Sequence, residues 1–401
     1  MEEQANNPQE PHNDSEKAIQ GFYGDTVDVQ MPNIPIPVPP APKEEKNKDQ
    51  CEVSFKFAFV GAGQGGSRIA ESFHRLGYRK LSAINTAQQD LNTIELIENK
   101  LLIGEGGAGK NPEVAARHYA DNKEDVLDFL RFSFGEDYDR IFVCAGAGGG
   151  TGAGSVVPLV HTINELNEIV NAPTQKVGVI LALPKVSEGK KVNANAFNTL
   201  NQAYDLVEQG LVSPLIILDN EKINKLYPGL AVSPFWQTAN SNIAGLFHLF
   251  NMVSAKDSSY SSFDPNDYKT VLDSGLILFG AAPITDWNNP MNITKTVRDN
   301  VAGNVLSGGV NLKTGSCAGV VMIGGHRVLE NAPQENIDLA FEQFSRILGR
   351  GSTVHRGIYS GNQDDLTVYT VIGGLGRPEE KLSELKKLGE AKRFNFPEYR
   401  Q

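Results

Sequence analysis

A glycine-rich stretch near the middle of the chain carries the residue types of a phosphate-binding turn. An apolar run at residues 141–145 is followed by six glycines within the nine residues 146–154, together with one hydroxyl at Thr151. Behind the glycines, apolar residues recur at helical spacing up to residue 170. A strand, a glycine turn and a helix N-terminus aim several backbone N–H groups at one point, which suits a phosphate. A purely structural turn is the alternative, but it would need only one or two glycines, because glycine costs conformational entropy.

Two further glycine loops lie earlier in the chain. Gly61-x-Gly63-x-x-Gly66 fits the dinucleotide fingerprint. That fingerprint requires an acidic residue at the end of the next strand, but Asn85 occupies this position. The segment 104–110 has the spacing of a P-loop, but Asn111 stands at the position where a P-loop has Ser or Thr. Each motif therefore lacks the residue that carries its chemistry. All three loops follow predicted strands of one sheet, so we interpret them as one polyphosphate site at the carboxyl ends of those strands.

Strands alternate with helices in the first half of the folded chain, which predicts a mostly parallel sheet with helices on both faces. The strands are expected at 53–60, 80–84, 101–103, 140–145, 176–183 and 214–218, and the helices at 67–76, 87–99 and 155–170. Ser233 and Pro234 look like an N-cap and first helical residue, and apolar spacing continues that helix to residue 254. Beyond a polar turn at 256–267, strands are expected at 275–279, 318–323 and 366–372, and helices at 294–306, 336–348 and 379–389.

The fold class predicted from this pattern is α/β: a Rossmann-like parallel sheet, a long central helix and a smaller α+β C-terminal domain. The expected divisions are an N-terminal arm at 1–50, the sheet domain at 51–232, the central helix at 233–255, the C-terminal domain at 256–377, and a helix with a tail at 378–401. The arm is acidic and then proline-rich at 31–42, which favours polyproline II and a flexible spacer. We interpret it as a solvated tail or as a docking motif for a partner.

Composition excludes several classes. The 401 residues carry a formal net charge of −11, which argues against nucleic acid as the main partner. No run reaches the roughly 18 apolar residues of a membrane span, and the N-terminus lacks a signal-peptide pattern. Three cysteines, Cys51, Cys144 and Cys317, are far apart and odd in number, which favours a reducing cytoplasm over a disulfide framework.

The three loops taken together resemble the tubulin/FtsZ superfamily of self-assembling GTPases. The signature loop of that family is similar to Gly148-Gly-Gly-Thr-Gly-Ala-Gly154, and the other segments occur in family order. Residues 60–70 resemble the first phosphate loop, with the glutamine of tubulin-type members at Gln64. Residues 83–86 and 107–113 resemble the second and third loops of FtsZ. The resemblance covers about residues 55–375 and implies that GTP or GDP binds with Mg²⁺, without a dedicated protein metal site.

The resemblance also implies which residues contact the nucleotide. On the phosphate side they are Gly61, Ala62, Gly63, Gln64, Gly65, Gly66, Asn85, Thr86, Gly107, Ala108, Gly109, Lys110, Ala147, Gly148, Gly149, Gly150, Thr151 and Gly152. On the nucleoside side, Pro184 and Glu188 lie in the ribose loop, Asn220 reads guanine, Phe235 or Trp236 stacks on the base, and Asn240 hydrogen-bonds it. Two positions depart from the FtsZ pattern, because Ala87 and Ser241 stand where that pattern has aspartate.

The turn before residue 268 resembles the catalytic loop of the family. Asp264 and Asp267 match its two acids, while Ser262 stands in place of its leading asparagine. Two carboxylates three residues apart can polarise a water, but they lie a helix length away from their own chain's nucleotide. The resemblance implies that the loop completes the site of the next subunit, so that hydrolysis requires a filament.

The leading hypothesis is therefore a cytoplasmic GTPase that polymerises head to tail, with a possible adaptor bound through the N-terminal arm or the C-terminal tail. The second is a GTP-binding scaffold that barely hydrolyses, which Ser262, Ala87 and Ser241 favour. A nicotinamide oxidoreductase built on Gly61 to Gly66 is a remote third. The biological role stays open among cell division, cell shape, plasmid segregation and phage DNA positioning.

Overall fold

One mixed sheet of ten strands runs through the folded part of the chain. The computed structural model describes residues 53–226, 232–284, 286–291, 294–297, 308–361 and 365–389, with the backbone alone at 226 and 232–237. The predictions for the N-terminal arm and the C-terminal tail fall outside these ranges and stay predictions. No helix in the described ranges is long and apolar enough to cross a membrane.

The sheet is parallel over its first seven strands and mixed beyond them. Its strands are β1 Phe57–Ala62, β2 Leu81–Asn85, β3 Asn99–Leu102, β4 Arg140–Gly146, β5 Val177–Leu183, β6 Val212–Asp219, β7 Leu276–Ile284, β8 Cys317–Gly325, β9 Thr353–Gly361 and β10 Leu366–Leu375. Their order is β3-β2-β1-β4-β5-β6-β7-β10-β8-β9. Neighbours from β3 to β7 are parallel, β10 is antiparallel to β7 and β8, and β8 and β9 are parallel. The parallel α/β class is confirmed.

Helices cover both faces of the sheet. They are α1 Gly63–His74, α2 Gln88–Asn92, α3 Pro112–Asp121, α4 Lys123–Phe134, α5 Thr151–Ile169, α6 Lys190–Glu208, α7 Asn220–Leu226, α8 Val232–Val253, α9 Pro265–Leu272, α10 His326–Asn331, α11 Gln334–Ile347 and α12 Glu379–Gly389. Short 3₁₀ turns occur at Val186–Glu188 and Leu312–Thr314.

The core lies in two layers because strand residues point alternately to the two faces. Ala58 and Val60 of β1 pack with α3 to α6, whereas Phe57 and Phe59 pack with α1, α8 and α9. The long central helix α8 packs on the sheet through Phe247, whose ring centroid lies 5.0 Å from that of Phe57 and 5.1 Å from that of Phe142. Burial of these aromatic rings fixes α8 against the sheet.

Several elements differ from those predicted. Helix α1 begins at Gly63, inside the predicted loop, and α5 begins at Thr151 instead of residue 155. The predicted helix 87–99 is wrong beyond Asn92, because the Glu71 carboxylate accepts the N–H groups of residues 95 and 96, both at 2.8 Å, and holds that segment out of helix. Strand β9 was not predicted, and it is an edge strand with little continuous burial. Of the predicted helix 294–306, residues 298–306 lie outside the described ranges.

Candidate functional site

A cleft of about 500 Å³ opens at the carboxyl edge of the parallel strands. Five consecutive members of the sheet deliver residues to it, because Ala62, Thr86, Gly146, Pro184 and Asn220 end or directly follow β1, β2, β4, β5 and β6. The loop after β3 contributes residues 107–110, and α8 contributes Asn240. The three glycine loops therefore form the wall of one cavity, at the place where open α/β sheets bind ligands.

Most of the residues proposed for nucleotide contact line this cleft. They are Ala62, Gly63, Gln64, Gly65, Thr86, Gly107, Ala108, Gly109, Lys110, Gly148, Gly149, Gly150, Thr151, Gly152, Pro184, Glu188, Asn220 and Asn240. Gly61, Gly66, Asn85 and Ala147 do not line it and lie buried behind its wall. The side chains of Phe235 and Trp236 lie outside the described residues. The cleft also takes in residues that were not named as nucleotide contacts: Arg68, Ile69, Ala87, Asp90, Gly146, Ala182 and Val192.

Helices α1 and α5 start at the cleft, and both leave their first N–H groups without a side-chain cap. The N-cap residues are Ala62 for α1 and Gly150 for α5, and neither makes a side-chain capping bond. The first turn of a helix has unpaired N–H groups and a partial positive charge, which together attract an anion. The close approach of the two helix starts depends on Gly63, whose φ is +69° and where a Cβ would lie 2.9 Å from the Gly152 nitrogen.

Close packing explains four of the six glycines between residues 146 and 154. A Cβ at Gly148 would lie 2.3 Å from Val192 Cγ1, one at Gly150 would lie 2.7 Å from Ala108 Cβ, and those at Gly152 and Gly154 would meet backbone oxygens at 2.8 and 2.2 Å. None of these glycines has a positive φ. The stretch is therefore rich in glycine because α3, α6, residue 108 and its own backbone press closely on it, and not because its turn requires left-handed residues.

A buried polar cluster joins the second loop to the signature loop. The hydroxyls of Thr86 and Thr151 are 2.7 Å apart, and Thr151 donates to Asn85 Oδ1 at 3.2 Å. The same Asn85 oxygen accepts the N–H groups of Thr86 and Ala87 at 2.8 and 3.2 Å. Asn85 is 1 % exposed. It therefore shapes the second loop from beneath.

Helix α6 holds the floor of the cleft through a side chain that sequence reasoning missed. The amide of Asn195 donates to the carbonyls of Lys110, Gly148 and Gly149 at 3.1, 3.1 and 3.3 Å. One turn on, the Thr199 hydroxyl donates to the Ala147 carbonyl at 3.1 Å. The available signal was an asparagine among apolar residues at helical spacing in 190–208, a helix that was not predicted.

The nucleoside end of the cleft depends on a buried ion pair. Asp219, which ends β6 just before Asn220, is 1 % exposed, and its Oδ2 lies 2.6 Å from Lys381 Nζ on α12. Its Oδ1 accepts the N–H groups of residues 221 and 222 at 3.1 and 3.2 Å, which starts α7. Burial alone would lower the pKa of Lys381, but the carboxylates of Asp219 and Glu384 outweigh it and raise that pKa. Asn220 is thus positioned from the opposite end of the chain.

The side-chain charges that line the cleft are balanced. Arg68 and Lys110 supply positive charge, while Asp90 and Glu188 supply negative charge. Across the described ranges, no group of three or more His, Cys, Asp or Glu side chains is placed to hold a metal ion. The cleft can therefore bind a polyphosphate mainly through backbone N–H groups and helix N-termini.

Asp264 and Asp267 do not line the cleft. They lie at the start of α9, where Asp264 Oδ1 accepts the Asp267 N–H at 2.9 Å and Asp267 Oδ2 accepts the Asp264 N–H at 3.2 Å. Asp264 is exposed, whereas Asp267 also contacts His355 of β9. Between the cleft residue Asn240 and the end of α8 at Val253, the helix rises by about 20 Å. The acids and the cleft of one chain are therefore separate.

Comparison with known proteins finds similar sequences and a similar fold. A model of the Tubulin/FtsZ family, GTPase domain, matches residues 56–228. The tubulin-like protein TubZ of Bacillus cereus is 26% identical over 207 residues, covering 49% of this chain and 45% of TubZ. The tubulin-like protein CetZ of Pyrococcus horikoshii is 27% identical over 327 residues, covering 78% of this chain and 84% of CetZ. A GTPγS-form protofilament of TubZ from Bacillus thuringiensis serovar israelensis has the same fold, with a TM-score of 0.74 at 17% identity over 86% of this chain and 93% of that one.

Residues 56–228 form a GTPase domain of the Tubulin/FtsZ family, and the predicted resemblance of the chain to the tubulin/FtsZ superfamily is confirmed. The match to the Bacillus TubZ relatives spans less than half of their length.

Proposed function

We propose that this protein binds GTP and GDP in the cleft, assembles head to tail into cytoplasmic filaments, and hydrolyses GTP where the acidic loop of one subunit meets the nucleotide of the next. The observation that carries the proposal is that the cleft and the acidic loop of one chain are separated along α8. The cleft offers N–H groups for phosphates, whereas the acids that could act on an attacking water follow Phe263, which packs on Phe250 near the C-terminal end of that helix. Head-to-tail contacts do not close, so they generate filaments.

Within the proposed site, different residues of the chain bind different parts of the nucleotide. The first turns of α1 and α5 face the phosphates, while Glu188 and Asn220 orient the nucleoside. Asp264 is the more available of the two acids, because it is exposed and Asp267 is already partnered. A carboxylate supplied by a neighbour would complete each site only in the assembled state.

Mg²⁺ fits the phosphate end of the cleft. Mg²⁺ prefers oxygen ligands and commonly keeps phosphates and water among them. Among the side chains that line the cleft there, the Thr86 and Thr151 hydroxyls and the Asp90 carboxylate can supply oxygen ligands, as can the Gln64 amide. These residues would hold the ion, which would neutralise phosphate charge. Asp90 would also face a polyphosphate at close range, which is favourable only with a cation between them.

The proposal is tested by measuring GTP turnover and light scattering against protein concentration. We expect turnover to rise only above the concentration at which scattering appears. Asp264→Asn keeps the N-cap oxygen that Asp267 N–H needs but removes the charge, so it should bind GTP, assemble and turn over little. Asp257→Asn, an exposed acid in the same polar turn, is the matched control and should behave as wild type. Turnover strictly proportional to concentration, with no threshold, would reject coupling to assembly.

A GTP-binding scaffold with little hydrolysis is the second candidate. It is favoured by the engagement of both Asp267 carboxylate oxygens within the subunit. Single-turnover hydrolysis in assembled material separates the two functions, because a scaffold would keep its GTP for the life of the filament.

A further inference from the structure

One face of strand β9 holds the acidic loop. His355, Gly357 and Tyr359 alternate along the strand, so they lie on the same side. Nδ1 of His355 is 2.5 Å from Oδ1 of Asp267, and the Tyr359 hydroxyl accepts the Phe263 N–H at 2.9 Å. Between them, a Cβ at Gly357 would lie 2.9 Å from Phe263 Cβ. His355, Gly357 and Tyr359 therefore all contact one segment, residues 263–267.

The main chain of β9 fastens the same loop from the edge of the sheet. The Ile358 N–H donates to the Ser261 carbonyl at 2.8 Å, which forms an isolated antiparallel bridge. The Ser258 hydroxyl donates to the Ile358 carbonyl. The turn before α9 is thus attached along its length, so its acids have a defined position before any neighbour arrives.

The contact between His355 and Asp267 is half-buried and fixes the carboxylate. The two side chains are 17% and 24% exposed. The other ring nitrogen, Nε2, is buried and has no hydrogen-bond partner among the described residues. A buried N–H without an acceptor is costly, so the tautomer with its proton on Nδ1 is favoured, and that proton points at Asp267. With Asp264 N–H on its second oxygen, the Asp267 carboxylate has a set orientation.

We propose that His355 is a positioning residue for GTP hydrolysis in the filament: it holds Asp267 in the orientation in which the acidic loop is presented to the neighbouring subunit. This inference rests on the proposed function of that loop. His355 acts through Asp267 and contacts no nucleotide of its own subunit, because it does not line the cleft. When such a contact is removed the reacting group can shift, and a misplacement of about 1 Å can lower a rate by about 100-fold.

The test compares His355→Leu, which removes the donor, with His355→Asn, whose side-chain amide can donate from nearly the same place. His326→Leu is the matched control, because His326 also contacts a carboxylate, Glu330 at 3.1 Å, but on the surface of α10. We expect His355→Leu to lower the turnover of assembled subunits by up to about 100-fold with unchanged GTP binding and assembly threshold. His355→Asn should recover most of the lost turnover. If His355→Leu does not fold, His355→Val, whose β-branch suits a strand, replaces it.

Unchanged or increased turnover in His355→Leu would overturn the inference, since an increase would mean that His355 holds Asp267 away from its task. A second measurement is independent of hydrolysis. Hydrogen exchange of the N–H groups of residues 267 and 268 in the unassembled GDP form should be faster in His355→Leu than in wild type or His326→Leu, and equal rates would overturn the inference. If wild-type filaments keep their GTP, the proposed hydrolysis fails, and the exchange rates still decide whether His355 positions Asp267.

Discussion

Replacement of Lys381 by methionine should damage both stability and nucleotide binding, although residue 381 does not line the cleft. Methionine keeps the length of the side chain and removes its charge. The Asp219 carboxylate would then stay buried, at 1% exposure, without the ammonium that lies 2.6 Å from it. Removing one partner of a buried ion pair costs about 3–5 kcal/mol. We expect about 3 kcal/mol, because Asp219 keeps its two N–H donors on α7.

The assay is urea unfolding of the GDP form below the assembly threshold, combined with a titration of GDP affinity. Lys225→Met, on an exposed side chain of α7, is the matched control and should change neither quantity measurably. Asp219→Asn keeps an oxygen for the two N–H donors and leaves Lys381 paired with Glu384 at 2.6 Å, so it should cost less. In the double variant the two losses should not add, because each removes the same interaction.

The pH dependence has a definite sign. The pKa of Lys381 is raised above its ordinary value of 10.5, so the folded state holds this proton more tightly than the unfolded state. The contribution of Lys381 to stability is complete below pH 10.5 and is lost as the pH rises through the folded-state pKa.

A loss of stability below about 1 kcal/mol in Lys381→Met, or additive losses in the double variant, would refute the assigned role of the pair.

Three further predictions concern other buried contacts. Burial, with a smaller contribution from Lys256, lowers the pKa of His248 from 6.5 to about 4, so about 3 kcal/mol of stability should be lost as the pH falls from 6.5 to 4. The urea midpoint of His248→Asn should not show this fall with pH, whereas that of His326→Asn should show it. Asn195→Ala should cost about 1–3 kcal/mol and weaken GDP binding, whereas Asn164→Ala, which loses one bond within its own helix, should leave GDP affinity unchanged. Gly150→Ala should cost about 1–3 kcal/mol by forcing Ala108 outward, and an unchanged urea midpoint and GDP affinity would contradict the close packing of the loops.

Much of the fold was predictable because its signals are local. The buried strands β1, β4, β5 and β6 are continuous apolar runs, and the helices α5 and α8 have apolar residues at regular spacing. Glycine density marked three loops, and parallel strands necessarily bring their carboxyl ends to one edge. The prediction failed where a distant group decided the backbone, as at residues 95–96, which the Glu71 carboxylate holds out of helix.

The sequence by itself predicted the class of site: glycine loops between buried strands and helix starts indicate exposed backbone N–H groups, which suit a phosphate, although close packing accounts for four of the six glycines at 146–154. The tertiary structure alone decided which side chains hold that site in shape. Asn195 meets its carbonyl partners 46 to 85 residues away, and Asp219 meets Lys381 from the far end of the chain. Likewise His355, on a strand without a periodic signal, meets Asp267. Periodicity records which face of an element is buried, but a polar side chain's partner is set by how distant elements pack, and no local pattern contains that information.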